Sequence, residues 1–455
     1  MSTSGLRDFR PKIHFTAPSA WINDPCGLVF YEGKYHLFYQ HYPHDGIWGP
    51  MHWGHAISEN LIDWEHLPIA LYPDDKGTIY TGSAVADINN ISGFGENDKV
   101  PLVAFYTNSG EKQEQHIAYS LNGIDFIKYE NNPVIPNPGI KDFRDPNMFW
   151  NPVRNCWSMV IAAGDRVMFY ATKDLRSWEK TGEFGVTENL VGGIWEVPDM
   201  VPLEFEGKTV WLLIASMIPE KDGPHVSMQY FLGDFDGDKF INSIPFDYAE
   251  QLDCGWDNYA GFTFNNVEAP IYIGWGNCWQ YAAKTPTGEY TGNMTLPRHL
   301  AIKSTPVGLR LAAKPIIPDN IIGDNNTLET NSVLNSETFI LKIEGEGACS
   351  IRIENEGGQY LVFGVDIDNY LYYDRTNAGA TDFCEHFASE KFSVRKVKRF
   401  FEAAYSIEFI FDVSMSELFI DDGTRSMAML CYPDTPYNSI DIEGDIKVTY
   451  CNINR

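Results

Sequence analysis

Three acids in this chain occupy settings that ask for a chemical reason. Asp24 lies in Trp21-Ile22-Asn23-Asp24-Pro25-Cys26-Gly27, Asp145 in Phe143-Arg144-Asp145-Pro146-Asn147, and Glu196 in Ile194-Trp195-Glu196-Val197-Pro198-Asp199. Each acid stands among aromatic and turn-forming residues. Taken singly, each also reads as an Asx-type turn or a cap, because Asn, Asp, Pro and Gly are ordinary turn formers. Three carboxylates far apart in sequence, each on a stiff element, point instead to one convergent acidic site. A pair of carboxyl groups flanking a scissile bond is the equipment of glycoside hydrolysis, with one as proton donor and the other as nucleophile or as base for water. Roles follow from the flanking residues. Glu196, between Trp195 and Val197-Pro198, has the apolar wrapping that raises a carboxyl pKa and suits an acid/base. Asp24, beside Asn23 and backbone donors, suits a lowered pKa and a nucleophile. Asp145, preceded by Arg144, is expected to stay ionised and to stabilise positive charge developing at an anomeric carbon.

Such residues can meet only if the fold brings distant segments to one place. A local pattern recurs at Ala56-Ile57-Ser58-Glu59-Asn60-Leu61, Ala118-Tyr119-Ser120-Leu121-Asn122-Gly123, Ala171-Thr172-Lys173-Asp174-Leu175 and, more loosely, Leu232-Gly233-Asp234-Phe235-Asp236. The anchors Ser58, Ser120, Lys173 and Asp234 stand 62, 53 and 61 residues apart. Between them lie short β-type runs such as Lys34–Gln40 and Thr209–Ala215, separated by Gly, Pro, Asn and Asp. A repeat of this length holding several strands predicts propeller blades, about five of them in the first ~310 residues. The inner strands of a propeller line one funnel, where Asp24 of the first blade, Asp145 of the third and Glu196 of the fourth would converge. Beyond residue 315 the texture changes. Residues 316–336 read as a linker, and 337–455 read as a β-sandwich of alternating strands such as Phe339–Ile343, Tyr360–Val365 and Ser406–Phe411. The fold class is therefore all-β.

Composition narrows the function classes. The chain has 455 residues, 44% apolar and 21% charged, which describes a folded globular protein of more than one domain. Its formal charge is −28, from 34 basic and 62 acidic residues. Such a field repels phosphate backbones and anionic bilayers, so nucleic acid and membrane partners are not expected. The apolar run from Val210 to Ile218 is too short to span a bilayer. The opening Met1-Ser2-Thr3-Ser4-Gly5 lacks a signal-type apolar core, so the expected location is cytoplasmic, or secreted if a leader has been trimmed. The eight cysteines lack metal-type spacing and are expected as free thiols. His14, His36 and His41 read as packing residues. The aromatic share of 14% serves either β-rich cores or sugar stacking.

At these residues the chain resembles glycoside hydrolase family 32, the β-fructofuranosidases. The likeness rests on Trp21–Gly27, Phe38-Tyr39-Gln40, Trp48-Gly49, Thr81-Gly82-Ser83, Arg144-Asp145-Pro146 and Trp195–Asp199. It continues through Asp253-Cys254-Gly255-Trp256-Asp257-Asn258-Tyr259-Ala260, Gly274-Trp275-Gly276-Asn277-Cys278-Trp279, Met294–Arg298 and the sandwich strand Phe411–Phe419. The resemblance implies a five-bladed propeller followed by a β-sandwich, and a retaining reaction with Asp24 as nucleophile, Glu196 as acid/base and Asp145 as transition-state stabiliser. It implies that Asn23, Gln40, Trp48, Ser83, Arg144, Asp253 and Trp275 surround a terminal fructosyl unit, and that no metal or organic cofactor is needed. Departures are Cys26 where the family usually has Asn, Val197 where it usually has Cys, and Trp256 where Lys is frequent.

The runs Leu71–Thr78 and Trp279–Thr287 resemble levanase and exo-inulinase members more than sucrose-6-phosphate hydrolases. The expected reaction is therefore exo release of fructose from fructans, fructo-oligosaccharides and sucrose. Alternatives are an intracellular invertase confined to sucrose and short oligosaccharides, a fructosyltransferase, and a non-catalytic sugar-binding propeller. The sandwich is a candidate homo-oligomer contact.

Overall fold

A computed structural model describes residues 7–187, 192–218 and 228–455. Among these residues, the strands up to Pro315 form five sheets, each with four antiparallel strands that follow one another in the chain except where Tyr290–Thr291 leaves the fifth to join the first. Their first strands are Ala20–Tyr31, Thr78–Ala86, Phe143–Asn151, Ile194–Phe205 and Tyr259–Thr263. Each first strand packs against the first strand of the next sheet, and the fifth packs back on the first, which closes a ring. A propeller is the result, with apolar clusters between neighbouring blades, such as Phe149, Trp195, Trp211 and Phe231 between the third and fourth. The ring is fastened by Tyr290–Thr291, which pairs in parallel with Ala20 and Trp21 at the start of the first blade.

The recurrent sequence pattern is the turn between the third and fourth strands of a blade. Ser58 Oγ accepts the backbone N–H groups of Asn60 and Leu61, and Asn60 Oδ1 accepts those of Ile62 and Asp63. Ser120 with Asn122, and Thr172 with Asp174, repeat the device. The third anchor is thus Thr172, not Lys173, because a hydroxyl must accept these bonds and an ammonium has no acceptor.

A second repetition, invisible in the sequence, matters more for the site. Each inner strand carries one extra residue relative to its neighbour, at Ile22/Pro25, Ile79/Gly82, Arg144/Asn147, Glu196/Asp199 and Tyr259/Phe262. A bulge of this kind bends the strand and re-aims a side chain. Asp24, Thr81, Asp145 and Glu196 all sit in these bulges, and Asp145, Val197 and Ala260 have positive φ of 64°, 48° and 52°.

After Pro315 two six-stranded sheets face each other. One is built on Thr338–Gly345, Tyr405–Asp412, Met415–Ile420, Arg425–Leu430 and Ile446–Asn452; the other on Cys349–Glu354, Tyr360–Val365, Tyr370–Asn377, Val394–Lys398 and Ser439–Glu443. Within the segment read as a linker, Asn326–Leu328 and Ser332–Val333 add an edge strand to each sheet. The sandwich core is continuous with Cys254, Trp256, Cys278 and Tyr281 of the propeller. All eight cysteines are free and buried. Among the described residues no helix is long and apolar enough to cross a membrane.

Candidate active site

The funnel ends in a pocket of about 510 Å³. Asp24, Asp145 and Glu196 line it, the two aspartates buried more deeply than Glu196. Asp24 is supplied with two donors: Thr81 Oγ1 gives a hydrogen bond to Oδ2 at 2.6 Å and Asn23 Nδ2 one to Oδ1 at 2.9 Å. Asn23 is oriented in turn by Trp21 Nε1, 2.7 Å from its Oδ1. Asp145 Oδ2 accepts the Val197 N–H at 3.0 Å, so the bulge of the fourth blade serves the acid of the third. Glu196 Oε1 accepts from Arg144 Nε and Nη2 at 3.2 and 3.0 Å, and Oε2 accepts from the Tyr259 hydroxyl at 2.6 Å. Arg144 is itself held by Asp142 at 2.7 Å and Gln113 at 3.2 Å.

Charge states differ from the sequence expectation. Burial raises Asp24 to about 6, outweighing the bonds from Thr81 and Asn23, where a lowered value was expected. Burial also lifts Asp145 to about 8 against the pull of Arg144, with the charges of Glu196 and Asp24 adding to the rise, so Arg144 does not keep it ionised as expected. The apolar wrapping expected around Glu196 is absent. Trp195 and Val197 point into blade packing, and the carboxylate faces a guanidinium and a phenol. Alternation along a strand sends neighbours to opposite faces, which is why flanking residues misreport the surroundings of a strand side chain. Carboxyl groups crowded in a desolvated site cannot all ionise, so this pocket retains a proton near neutrality.

Seven of the ten expected site residues line the pocket: Asn23, Asp24, Gln40, Trp48, Arg144, Asp145 and Glu196. Trp48 stands at the mouth, 48% exposed. Three do not line it. Ser83 lies behind, its hydroxyl donating to Pro146 O and accepting from Met148 N, both at 3.0 Å, so it braces the strand of Asp145. Asp253 is fully buried toward the sandwich, paired with Arg298 at 2.8 Å and accepting the Ala428 N–H. Trp275 is buried behind Trp21 and Trp279, at ring-centroid distances of 5.9 and 4.8 Å. The lining residues missed in those same stretches are Thr81, Trp256, Tyr259, Asn277, Cys278 and Trp279, and elsewhere Tyr80, Gln113, Asp142, Met217, Ile218 and Gln280. The motif signal marked the correct segments. Which residue of each segment faces the pocket depends on the bulges and on a turn at 277–281.

Two departures are placed by the packing. Cys26 is buried between the first and second blades, its thiol within 3.5 Å of Asp24 O and accepting weakly from Gln40 Nε2 at 3.7 Å. Val197 packs into the core between blades, and only its backbone serves the site.

Residues 14–315 match the sequence profile of the glycosyl hydrolases family 32 N-terminal domain. The chain belongs to this family. A levanase of Bacillus subtilis (strain 168) is 37% identical over 473 aligned residues, covering 97% of this chain and 69% of that protein. An extracellular exo-inulinase of Aspergillus awamori is 34% identical, covering 84% of this chain and 82% of that one. The crystal structure of the exo-inulinase from Aspergillus awamori superposes with a TM-score of 0.90 at 30% identity, over 98% of each chain. A β-fructofuranosidase from Schwanniomyces occidentalis, complexed with fructosyl-erythritol, superposes with a TM-score of 0.88 at 27% identity, over 100% of this chain and 99% of that one. Family membership and the geometry describe one object: a propeller whose funnel ends in a carboxylate pocket, with a sandwich attached.

Proposed function

We propose that this family 32 enzyme is a retaining, exo-acting β-fructofuranosidase that releases terminal fructose from fructans, fructo-oligosaccharides and sucrose. The observation that carries the reading is the delivery of Asp24, Asp145 and Glu196 from three blades into one pocket, each held by its own donors. Asp24 is the nucleophile. Its carboxylate oxygen forms the bond to the anomeric carbon while the bond to the leaving oxygen breaks, and Glu196 gives that oxygen its proton. Glu196, now a carboxylate, then takes a proton from water as the water oxygen displaces Asp24 and releases fructose with retention. Asp145 faces the fructosyl unit and, in the fraction of enzyme where it is ionised and the pocket's proton resides on Glu196, stabilises the positive charge of the transition state; Arg144 and Tyr259 orient Glu196. The exo-inulinase relative favours exo attack, and the levanase and exo-inulinase relatives together favour fructan over sucrose alone.

The test is a time course of the purified enzyme on sucrose, short inulin-type oligosaccharides, inulin and levan, with products separated by size. Fructose as the sole early product from polymer is the expected outcome. Oligomeric products from polymer would refute the exo mode, activity on sucrose and short chains alone would make it an invertase, and products longer than the substrate would make it a transferase. Glu196→Gln is expected to lower kcat by about 10²–10⁴-fold with fructose binding retained; unchanged turnover would remove Glu196 from the mechanism.

A further inference from the structure

The catalytic carboxylates take their hydrogen bonds from the propeller alone, yet the mouth of the pocket does not stand on the propeller alone. The long connection inside the fifth blade makes a tight turn at 277–281. Cys278 N donates to Asn277 Oδ1 at 2.8 Å, and Cys278 O accepts from Tyr281 N and Ala282 N at 3.1 and 2.9 Å. The tip of this turn, Trp279 and Gln280, is exposed at the pocket mouth, and the Trp279 ring stacks on Trp21 at 5.8 Å. The turn is anchored through Tyr281, whose buried hydroxyl donates to Asp257 Oδ1 at 2.5 Å. Both ends of that contact are gripped from the sandwich. Arg375 Nη1 donates to Asp257 Oδ2 at 2.8 Å and Nη2 to the Tyr281 oxygen at 3.0 Å. The guanidinium is fully buried, lies over the Phe387 ring at 4.0 Å, and spends its other donors on Leu430 O and Phe392 O. A planar fork with fixed donors fits this double task, whereas an ammonium acts as a single point charge.

We infer that Arg375 of the β-sandwich is a positioning residue for the mouth of the active-site pocket, and that through Tyr281 it sets affinity for the part of the substrate beyond the terminal fructosyl unit. This rests on the fructosidase reading given above. The two aspartates are buried, so the rest of a bound chain must pass the mouth, where Trp279 offers an exposed indole for a sugar face. Asp257 is also the neighbour of Trp256, a second pocket-lining indole, which packs against the Arg395 guanidinium and the Phe392 ring, each centred 4.4 Å away. The sandwich thereby backs two aromatic residues of the pocket and none of its carboxylates. Its expected signature is a KM effect that grows with chain length, with kcat preserved.

The test compares Tyr281→Phe and Arg375→Lys with wild type on sucrose and on purified inulin-type oligosaccharides of increasing length. Tyr281→Phe keeps the Arg375–Asp257 ion pair and removes only the hydroxyl tying the turn to it, so the measurement survives if the arginine variant does not fold. We expect KM to rise about threefold to tenfold on the longer oligosaccharides, the size of effect that one lost hydrogen bond supports, with a smaller rise on sucrose and kcat within about twofold throughout. Trp279→Ala is expected to give the same length-dependent pattern, and adding Tyr281→Phe to it is expected to add little. A lowered melting temperature with KM unchanged along the ladder, or an equal loss of kcat on every substrate, would overturn the inference. If wild type cleaved none of these sugars, the functional reading itself would fail, and the wild-type lane alone would show it.

Discussion

Burial, more than any neighbouring charge, sets the protonation of the acids in this pocket. Asp24 is raised to about 6 although two donors oppose the rise, and Asp145 to about 8 although Arg144 opposes it. With Asp24 as the proposed nucleophile, which must be ionised, kcat/KM is expected to fall as pH drops through about 6, the acid limb belonging to Asp24 in the free enzyme. Thr81 favours the ionised form of that group: its hydroxyl donates to Oδ2 and draws the pKa down. Thr81→Val removes this donor at nearly constant volume, so the acid limb is expected to move to higher pH. At pH 5 the loss of kcat/KM should be about threefold or more, with a smaller loss at pH 7. A pH profile of kcat/KM for both proteins checks this, and an unmoved limb would detach Asp24 from it.

The bulge is the element that aims a blade strand's side chains at the pocket. A regular strand alternates its side chains between two faces, and one extra residue breaks that alternation where the funnel needs two successive residues to serve it. In the second blade the bulge ends at Gly82, where the strand runs so close to its neighbour that an added Cβ would lie 1.9 Å from the Phe105 carbonyl oxygen. Gly82→Ala therefore forces the backbone apart next to Thr81 and Ser83, one the partner of Asp24 and the other the brace of the Asp145 strand. Expected results are a stability loss of about 1–3 kcal/mol, as overpacking of a close contact gives, together with a drop in kcat. Thermal unfolding and steady-state kinetics measured on the same preparation check both. A stability loss without any kinetic change would mean that the bulge does not position the site.

At the scale of the molecule, propeller and sandwich are joined by buried ions rather than by apolar packing alone. Arg298 bridges Asp253 and Glu417, and Arg310 and Arg425 share Glu250. His14 lies between Asp412 and Glu417 at 2.8 and 3.1 Å. Burial opposes charge on His14, but its bonds to the two carboxylates win and raise it from 6.5 to about 9. Asp412 and Glu417 are correspondingly lowered against the cost of burial, by His14 for the first and chiefly by Arg298 for the second. A raised histidine contributes stability that is complete below its unfolded value and is lost as pH rises through its folded one. The melting temperature is therefore expected to decline between pH 6.5 and about 9, the window given by His14. The lowered carboxylates work in the opposite sense, contributing above their ordinary values and losing that contribution on acidification. His14→Gln should be less stable near pH 6 and should flatten the alkaline decline, as a series of melting curves would show; an equally steep decline in the variant would assign it to other groups.

Much of this was legible in the chain, and the physical reason is locality. Turn chemistry is local, so the Ser58, Ser120 and Asp174 motifs announced blades, and short β runs announced strands with no need of tertiary contacts. The segments carrying Asp24, Asp145 and Glu196 were legible for the same reason, since stiff turns around an acid are written in consecutive residues. What each acid feels was not. Protonation follows from burial and from partners on other blades, and Glu196 faces Arg144 and Tyr259 instead of its own sequence neighbours. Nor was the choice between Asp253 and Tyr259, or between Trp275 and Trp279, because Asp253 is drawn to Arg298 and the sandwich backbone at Ala428, and the turn at 277–281 carries Trp279 to the pocket while Trp275 stays in the packing. Sequence determined the repeat, the strands and the acids; the closing of the ring decided which side chains share the pocket, and the docking of the sandwich decided what holds its mouth.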